Sequence, residues 1–222
     1  MNAVVSTITQ LLPAEIITTD PEQITLYSQD VFTVGPPICA VVRPRNIDEV
    51  QALVRACLER GTPIVTRGGG MSYTSGYIAS APDSVLIDMA SMDAIVEVNL
   101  EDRYVTVEAG CSWQKLHEHL APLGVRTAYW GTLSGRYATV GGGLSQNSIF
   151  WGSGQSGTAA DNVLSVSVVT GKGDLLETGS AAQQHAAPFT RHFGPDLTGV
   201  FLGDCGALGI KVRATLPLVP LA

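Results

Sequence analysis

The sequence predicts an α+β chain of two lobes, a small β-α-β lobe that ends near residue 90 and a larger lobe with a mixed or antiparallel sheet and flanking helices. The first lobe is predicted by a helix-periodic segment between two short apolar runs within residues 38–66. The second is predicted by short apolar segments separated by turn residues. With 222 residues, 45% of them hydrophobic, the chain is able to bury a core.

A capped helix is predicted between the two apolar runs of the first lobe. Ile38–Val42 and Pro63–Thr66 are the runs themselves, and both predict strands. Asn46 is a predicted helix cap, because Glu49 follows three residues later as in a capping box. Apolar residues then recur at helical spacing until Gly61, which predicts the end of the helix.

The rest of the chain is predicted to consist mainly of short strands joined by turns. Ser112 is a predicted helix cap, and Gly171–Asp174 is the predicted turn of a hairpin. Residues 179–195 lack clear periodicity and predict a surface loop. The predicted strands are Ser84–Asp88, Ala94–Asn99, Tyr104–Ala109, Val163–Thr170, Leu175–Thr178 and Ile210–Val219, with a further short helix at Asp196–Leu202.

The charge balance argues against polyanionic partners. The chain has 13 Lys and Arg against 20 Asp and Glu, a formal net charge of -7. We therefore expect no nucleic acid partner, and an anionic ligand has to be held locally by backbone amides or a few cations. No apolar run reaches the ~18–20 residues that cross a bilayer, so no membrane insertion is expected.

The 4 cysteines, Cys39, Cys57, Cys111 and Cys205, form no C-x-x-C pair. In a chain of this length they predict reduced thiols, neither a disulfide framework nor a zinc site, and no metal is expected. The first 15 residues lack the basic region and the long apolar region of a signal peptide. The cytoplasm is the expected compartment.

Two glycine-rich segments are the main candidates for a binding site. Gly68–Gly70 directly follow a predicted strand, so the backbone is able to turn and aim successive N–H groups at one anion. Ser72 adds a hydroxyl donor, and Arg67 either meets a phosphate or is solvated. The second segment, Thr139–Asn147, is predicted to form a matching amide nest from the other lobe. The alternative is that both segments are tight turns or points of close packing.

Other nucleotide and hydrolase motifs are absent or out of context. Gly152–Gly157 matches G-x-G-x-x-G, but the β-rich run Val163–Val169 leaves no room for the helix that a Rossmann motif opens. The sequence contains neither the G-x-x-x-x-G-K-[ST] motif of P-loop NTPases nor a G-x-S-x-G nucleophile elbow.

Five segments occur in an order and at a spacing typical of one flavoprotein family. They are Ala40–Pro44 with Glu49 and Val50, Pro63–Ser72, Ala138–Asn147, Gly157–Leu164 with Val168 and Val169, and Gly194–Leu197 with Gly203–Ile210. Together they resemble the FAD-binding domain of the vanillyl alcohol oxidase/p-cresol methylhydroxylase (PCMH-type) superfamily, as found at the N-terminus of FAD-linked oxidases. In this resemblance Pro63–Ser72 corresponds to the pyrophosphate loop and Ala138–Asn147 to the second flavin loop.

The resemblance implies a two-lobed PCMH-type fold over residues 20–220, with lobe one at about 20–90 and lobe two at about 91–220. FAD would lie extended, with its pyrophosphate between the lobes. Some members attach the flavin through a His or a Cys, and Met71 and Tyr137 stand at those places here, so FAD is expected to be non-covalent. The cofactor-binding residues that the resemblance implies are Arg67, Gly68, Gly69, Gly70, Met71, Ser72, Thr132, Leu133, Thr139, Gly142, Gly143, Ser145, Asn147, Gly157 and Ile210.

The activity implied by the resemblance is a flavin-dependent oxidation. An alcohol, a 2-hydroxy acid or a phenolic alcohol would lose a hydride to flavin N5. The family's substrate-binding cap domain is expected to be absent, so a second subunit or a missing part of the chain would complete the site, and the catalytic acid and base stay unassigned. One alternative is a non-catalytic flavin-binding electron-relay module. Another is a reductase of cell-wall precursors that takes electrons from NADPH.

Overall fold

The computed structural model describes residues 2–129, 131, 132 and 134–221. This part of the chain forms two sheets with helices on their faces. The helices are α1 (Ala3–Leu11), α2 (Pro21–Tyr27), α3 (Ile47–Glu59), α4 (Trp113–Leu120), α5 (Val140–Ser145), α6 (Ser153–Ser156) and α7 (Leu197–Val200). The strands are β1 (Ile17–Thr18), β2 (Ala40–Val42), β3 (Ile64–Arg67), β4 (Val85–Asp88), β5 (Ile95–Asn99), β6 (Tyr104–Glu108), β7 (Val125–Thr127), β8 (Ser165–Val169), β9 (Leu175–Glu177) and β10 (Ile210–Pro220).

The first sheet has the strand order β1-β2-β4-β3, and its last three strands run parallel. The helix α3 connects β2 to β3, and its cap is the predicted one, because the Asn46 side chain accepts a 2.9 Å hydrogen bond from the Glu49 amide. The Glu49 carboxylate accepts a 2.7 Å hydrogen bond from the amide of Arg45. In a capping box it would accept from the amide of the cap residue, one position later. Gly61, at φ +60°, follows the end of the helix as predicted.

The second sheet is antiparallel, with the order β5-β6-β10-β8-β9 and with β7 paired to the far end of β10. Its central strand is the 11-residue β10, which explains why the last apolar segment of the described chain is so well buried. The predicted hairpin is confirmed as β8 and β9. The predicted cap of α4 is confirmed too, since the Ser112 hydroxyl accepts from the Lys115 amide at 3.2 Å.

Both faces of the first sheet are buried, as parallel strands require. Val42 and Ile87 face α1 and α3, whereas Val41 and Leu86 face a smaller cluster around Tyr27. The core on the α1 and α3 side also contains Val169, Ile210 and Val212 from the second sheet. The two lobes therefore share a core.

The glycine-rich segments contain helices that the sequence did not predict. The helix α5 occupies the segment where a nest of free amides was expected. A single turn, α6, lies inside the Gly152–Gly157 segment, and among the described residues no α-helix follows it before β8, in agreement with the expectation that a Rossmann helix has no room here. Both glycines have a positive φ, at +91° and +77°, so the turn is bounded by backbone that other residues rarely adopt. Within the described residues, no helix has the length and apolar character needed to cross a membrane.

Candidate functional site

A cavity of about 340 Å³ lies between the two lobes. One wall is the loop 68–77, which follows β3 at the carboxyl ends of the parallel strands, the edge at which such sheets bind ligands. The facing wall is α5 with the residues just before and after it. Met89, Ala109 and Lys211 close the space between the two walls. This volume lies within the range of ~300–1,000 Å³ that is usual for small-molecule sites.

The loop after β3 presents a row of unpaired amides to this cavity. Gly68, Gly69, Gly70, Met71 and Ser72 all line it. Within the described part of the chain, none of their N–H groups donates a hydrogen bond to a protein acceptor. These residues are partly buried, and a consecutive set of unpaired donors beside a cavity suits a ligand with several acceptor oxygens. The prediction of an anion-binding nest here stays a prediction.

Two side chains, Tyr77 and Arg67, support the backbone of this loop. The Tyr77 hydroxyl donates a 2.8 Å hydrogen bond to the carbonyl of Gly70, a glycine with φ +66°. The Arg67 guanidinium lies beneath the loop, with its carbon 4.6 Å from the centre of the Tyr27 ring and 5.4 Å from that of Tyr77. Its buried Nε has no hydrogen-bond partner among the described residues. Arg67 therefore supports the loop by cation–π contacts and lends it positive potential.

Gly69 is required for the contact between the two walls. A Cβ on this residue would overlap the carbonyl group of Tyr137, which begins the opposite wall. A Cβ on Gly68 would overlap the Thr139 hydroxyl in the same way. Glycine is needed at these positions because the walls touch there, in addition to its effect on the turn.

The second glycine cluster is not an amide nest, which corrects the expectation for Thr139–Asn147. The first amides of α5 are already paired: Val140 donates to the carbonyl of Cys111 at 2.8 Å and Gly141 to that of Ala109 at 2.8 Å. The Thr139 hydroxyl accepts from Gly142 at 3.2 Å. Because these N–H groups are already paired, they are not free to bind a ligand. This wall contributes its shape and its hydroxyl groups to the site.

A second cavity of about 240 Å³ adjoins the first. The two share Thr66, Gly206 and Gly209. Its other walls include Leu58 and Ile210, both apolar. The two cavities thus form one elongated crevice, with the free amides of the β3 loop along the first part.

Some predicted cofactor residues lie away from the main cavity, and each of these makes another contact. The Asn147 side chain accepts from the Ala160 amide at 3.0 Å. A Cβ on Gly157 would meet the Asp161 side chain, so that glycine is explained by packing. Arg67 lies behind the loop, as described above. The predicted residues that line the main cavity are Gly68, Gly69, Gly70, Met71, Ser72, Thr132, Thr139, Gly142, Gly143 and Ser145; Ile210 lines the adjoining one, and Leu133 lies outside the described residues.

A buried ion pair at the cavity was missed by the sequence analysis. The Lys211 ammonium lies 2.6 Å from the Asp204 carboxylate, and both side chains are 3% exposed. Burial lowers the pKa of Lys211, and the hydrogen bond to Asp204 opposes that shift. Among the described residues that line the main cavity, Lys211 is the one with a full charge. A lysine within an apolar strand segment was the available signal.

Comparison with known proteins assigns a family. Residues 38–179 match the family described as FAD binding domain. The chain is 34% identical over 178 residues to a mitochondrial D-lactate dehydrogenase (cytochrome) of Arabidopsis thaliana, which is 80% of this chain and 30% of that protein. It is 31% identical over 181 residues to a glycolate oxidase subunit of Bacillus subtilis, covering 82% and 37% respectively. The chain thus spans about a third of the length of these curated relatives.

The fold itself also matches solved structures. The structure of p-cresol methylhydroxylase with substrate bound superimposes with a TM-score of 0.83 at 21% sequence identity. The superposition covers 98% of this chain and 43% of that one. The α+β fold expected from the resemblance, of PCMH type, is confirmed.

Proposed function

Because the chain belongs to the FAD binding domain family, we propose that it holds FAD non-covalently between its lobes as part of an FAD-linked oxidoreductase. The observation that carries this proposal is the row of unpaired amides from Gly68 to Ser72 along a shared crevice. A pyrophosphate has the acceptor oxygens that such a row requires, and the elongated crevice suits an extended dinucleotide. Met71 and Tyr137 stand where the resemblance implies the His or the Cys of a covalent attachment, which supports a non-covalent FAD.

We propose a 2-hydroxy acid as the substrate class, with an alcohol or a phenolic alcohol as less favoured choices. The relatives named for D-lactate and glycolate support this order, since both compounds are 2-hydroxy acids. FAD, when bound, supplies the acceptor for the hydride that such a substrate loses. The chain supplies the anion-binding loop, the cavity walls and the Lys211 cation.

We propose that the proton acceptor for the substrate comes from another domain or subunit. Among the described residues that line the main cavity there is no carboxylate and no imidazole. Apolar side chains are exposed beside this cavity: Tyr73 and Ile149, which line it, are 62% and 72% exposed, and Trp151 is 71% exposed. Such a rim favours coverage by a further domain or by a partner subunit, which would carry the acid or base.

The test is to purify the chain and titrate it with FAD. We expect saturable binding and complete release of the flavin into the supernatant after acid precipitation, as a non-covalent cofactor requires. Gly70→Ala should weaken binding about tenfold or more, because the substitution strains a left-handed residue in the amide loop and meets Arg67. Gly124→Ala is the matched control, with φ +72° and open space around its Cβ, and should leave the affinity unchanged.

Failure of the parent chain to bind FAD would refute the proposal. Equal losses in Gly70→Ala and Gly124→Ala would refute the placement of the cofactor on this loop. Anaerobic addition of D-lactate or glycolate to the loaded chain then tests the substrate class, with loss of the flavin absorbance as the readout.

The second candidate is a flavin-binding electron-relay module without catalysis of its own. The cavity wall described above, which lacks a carboxylate and an imidazole, favours it. Bleaching of the bound flavin by a 2-hydroxy acid would reject it, whereas reduction by a partner protein alone would support it.

The proposed compartment is the cytoplasm. All four cysteines are free thiols, which suits a reducing environment. Cell fractionation with an antibody against the chain tests this, and a membrane-enclosed fraction would contradict it.

A further inference from the structure

The buried pair of Lys211 and Asp204 has an incomplete set of hydrogen bonds. An ammonium carries three donors. One goes to Asp204 Oδ1 at 2.6 Å, and no other acceptor for Lys211 Nζ occurs among the described residues. Because the side chain is 3% exposed, bulk water does not readily supply the missing acceptors.

The Asp204 carboxylate, in contrast, is fully engaged by its own loop. Its Oδ1 accepts from the Gly206 amide at 3.0 Å as well as from Lys211, and its Oδ2 accepts from the Leu208 amide at 3.3 Å. Asp204 does not line the main cavity, whereas Lys211 does. Asp204 is therefore bound to its own loop, and Lys211 is the member of the pair that lines the crevice.

The position of Lys211 follows from the alternation of side chains along β10. Ile210 and Val212 both belong to the core on the α1 and α3 side, so the Lys211 side chain between them lies on the other face of the strand. Ile210 also lines the adjoining cavity, while Lys211 lines the main one. One charged side chain thus borders a crevice whose other described lining residues are uncharged.

We propose that Lys211 is the cation of the dinucleotide site and binds a phosphate oxygen of the cofactor, with Asp204 as the residue that positions its ammonium. This inference rests on the proposed function, because it assigns a residue to the FAD site. An acidic chain with net charge -7 gains from one placed cation when it binds a dianionic pyrophosphate. The unpaired donors of the ammonium and the free amides of the β3 loop then serve the same ligand.

The experiment compares three ligands that divide the cofactor: FAD, ADP and riboflavin. In Lys211→Met we expect the dissociation constants for FAD and ADP to rise at least tenfold, with that for riboflavin within twofold of the parent. Lys115→Met is the matched control. Lys115 lies on α4, and its exposed ammonium forms an equally short 2.6 Å pair with Asp93. That control should leave all three constants unchanged.

Asp204→Asn separates binding from a purely structural role. It removes the counter-charge that positions Lys211 and opposes the lowering of its pKa, so the affinity for ADP should fall while that for riboflavin stays within twofold of the parent. An unchanged affinity for ADP would overturn the positioning role of Asp204, and a Lys211→Met variant that binds FAD and ADP like the parent would overturn the proposal. An equal loss for riboflavin would also overturn it, because the effect would then not follow the phosphates. If the parent chain bound no FAD, the proposed function would fail. If the parent bound FAD and Lys211→Met bound it equally well, only the present inference would fail.

Discussion

The hydroxyl of Tyr77 holds the carbonyl oxygen of Gly70 at 2.8 Å, and this bond fixes the peptide group in the middle of the anion-binding loop. Gly70 has φ +66°, a conformation that residues with a side chain rarely adopt, so its peptide group has an unusual orientation to be held. The Tyr77 ring also lies 5.4 Å from the Arg67 guanidinium. One side chain thus supports the loop through two different contacts, and the two contacts are separable by mutation.

The first prediction concerns Tyr77→Phe. This variant keeps the ring next to Arg67 and removes the hydrogen bond to Gly70, which is worth about 1 kcal/mol. We expect the dissociation constant for FAD to rise about 3–10-fold, since 1.4 kcal/mol is a factor of ten. Titration of FAD and urea unfolding measure the two effects.

Tyr104→Phe is the matched control for this prediction. Tyr104 is also buried, and its hydroxyl bonds to Glu97 at 2.8 Å on the second sheet. We expect a similar loss of stability, about 1 kcal/mol, with no change in FAD affinity. If both variants bound FAD like the parent, the bond to Gly70 would have no role in the loop.

The sequence was sufficient to predict structure where the signal is local. The cap at Asn46 and the cap at Ser112 are each a single side chain that bonds to an amide three residues later. The first amide loop was predicted for a similar reason, because adjacent glycines directly after a strand change the local backbone. None of these features depends on a distant part of the chain.

The sequence was insufficient where contacts from far along the chain decide the structure. Consecutive glycines cost a helix about 1 kcal/mol each, so the cap at Thr139 is only a weak local signal for α5. It forms because Val140 and Gly141 donate to the carbonyls of Cys111 and Ala109, about thirty residues away. The role of Lys211 was hidden too, because the residues that share its cavity come from distant parts of the chain.

The second prediction concerns Gly142→Ala on the cavity wall formed by α5. The added Cβ would lie 3.2 Å from the Thr139 hydroxyl, a tight contact, and it occupies space beside the cavity. Replacing a helical glycine gains about 1 kcal/mol, which offsets that contact. We therefore expect a free energy of unfolding within about 1 kcal/mol of the parent and an FAD affinity at least tenfold weaker.

The control for this prediction is Gly154→Ala. Gly154 is also helical, and its Cβ would have no heavy atom within 4 Å. This variant should keep the parent's affinity for FAD. If the parent, Gly142→Ala and Gly154→Ala bound FAD with equal affinity in the same titration, the ligand would lie away from α5.

The third prediction concerns the reactivity of the cysteines. Burial raises the pKa of Cys39 to about 11 and the pKa values of Cys57 and Cys111 to about 12, so these thiols hold little thiolate at pH 8. Cys205 is exposed and lines the main cavity. We expect iodoacetamide to modify Cys205 first, and bound FAD to slow that reaction several-fold.

Peptide mapping by mass spectrometry measures the rate of Cys205 modification with and without FAD. Riboflavin at the same concentration tests whether the phosphates are needed for the protection. Modification of Cys205 at an unchanged rate with FAD would contradict its place on the site.

The last prediction concerns acid sensitivity at the ion pair of Arg191 and Asp196. The guanidinium lies 2.8 Å from the Asp196 carboxylate, and its hydrogen bonds hold the pKa of Asp196 below the ordinary value of 3.8. Because the folded-state pKa is depressed, the stabilisation is present above the ordinary pKa and is lost as the pH falls below it.

Asp196→Asn keeps an acceptor for the Gly199 amide but removes the charge. We expect it to unfold more easily than the parent at pH 7, by under about 1 kcal/mol because the pair is partly exposed, and the difference to shrink below pH ~3. Urea unfolding at pH 7, about 4 and about 2 measures this, with Glu101→Gln on an exposed turn as the control. A difference that stays constant across this range would mean that the carboxylate charge contributes nothing.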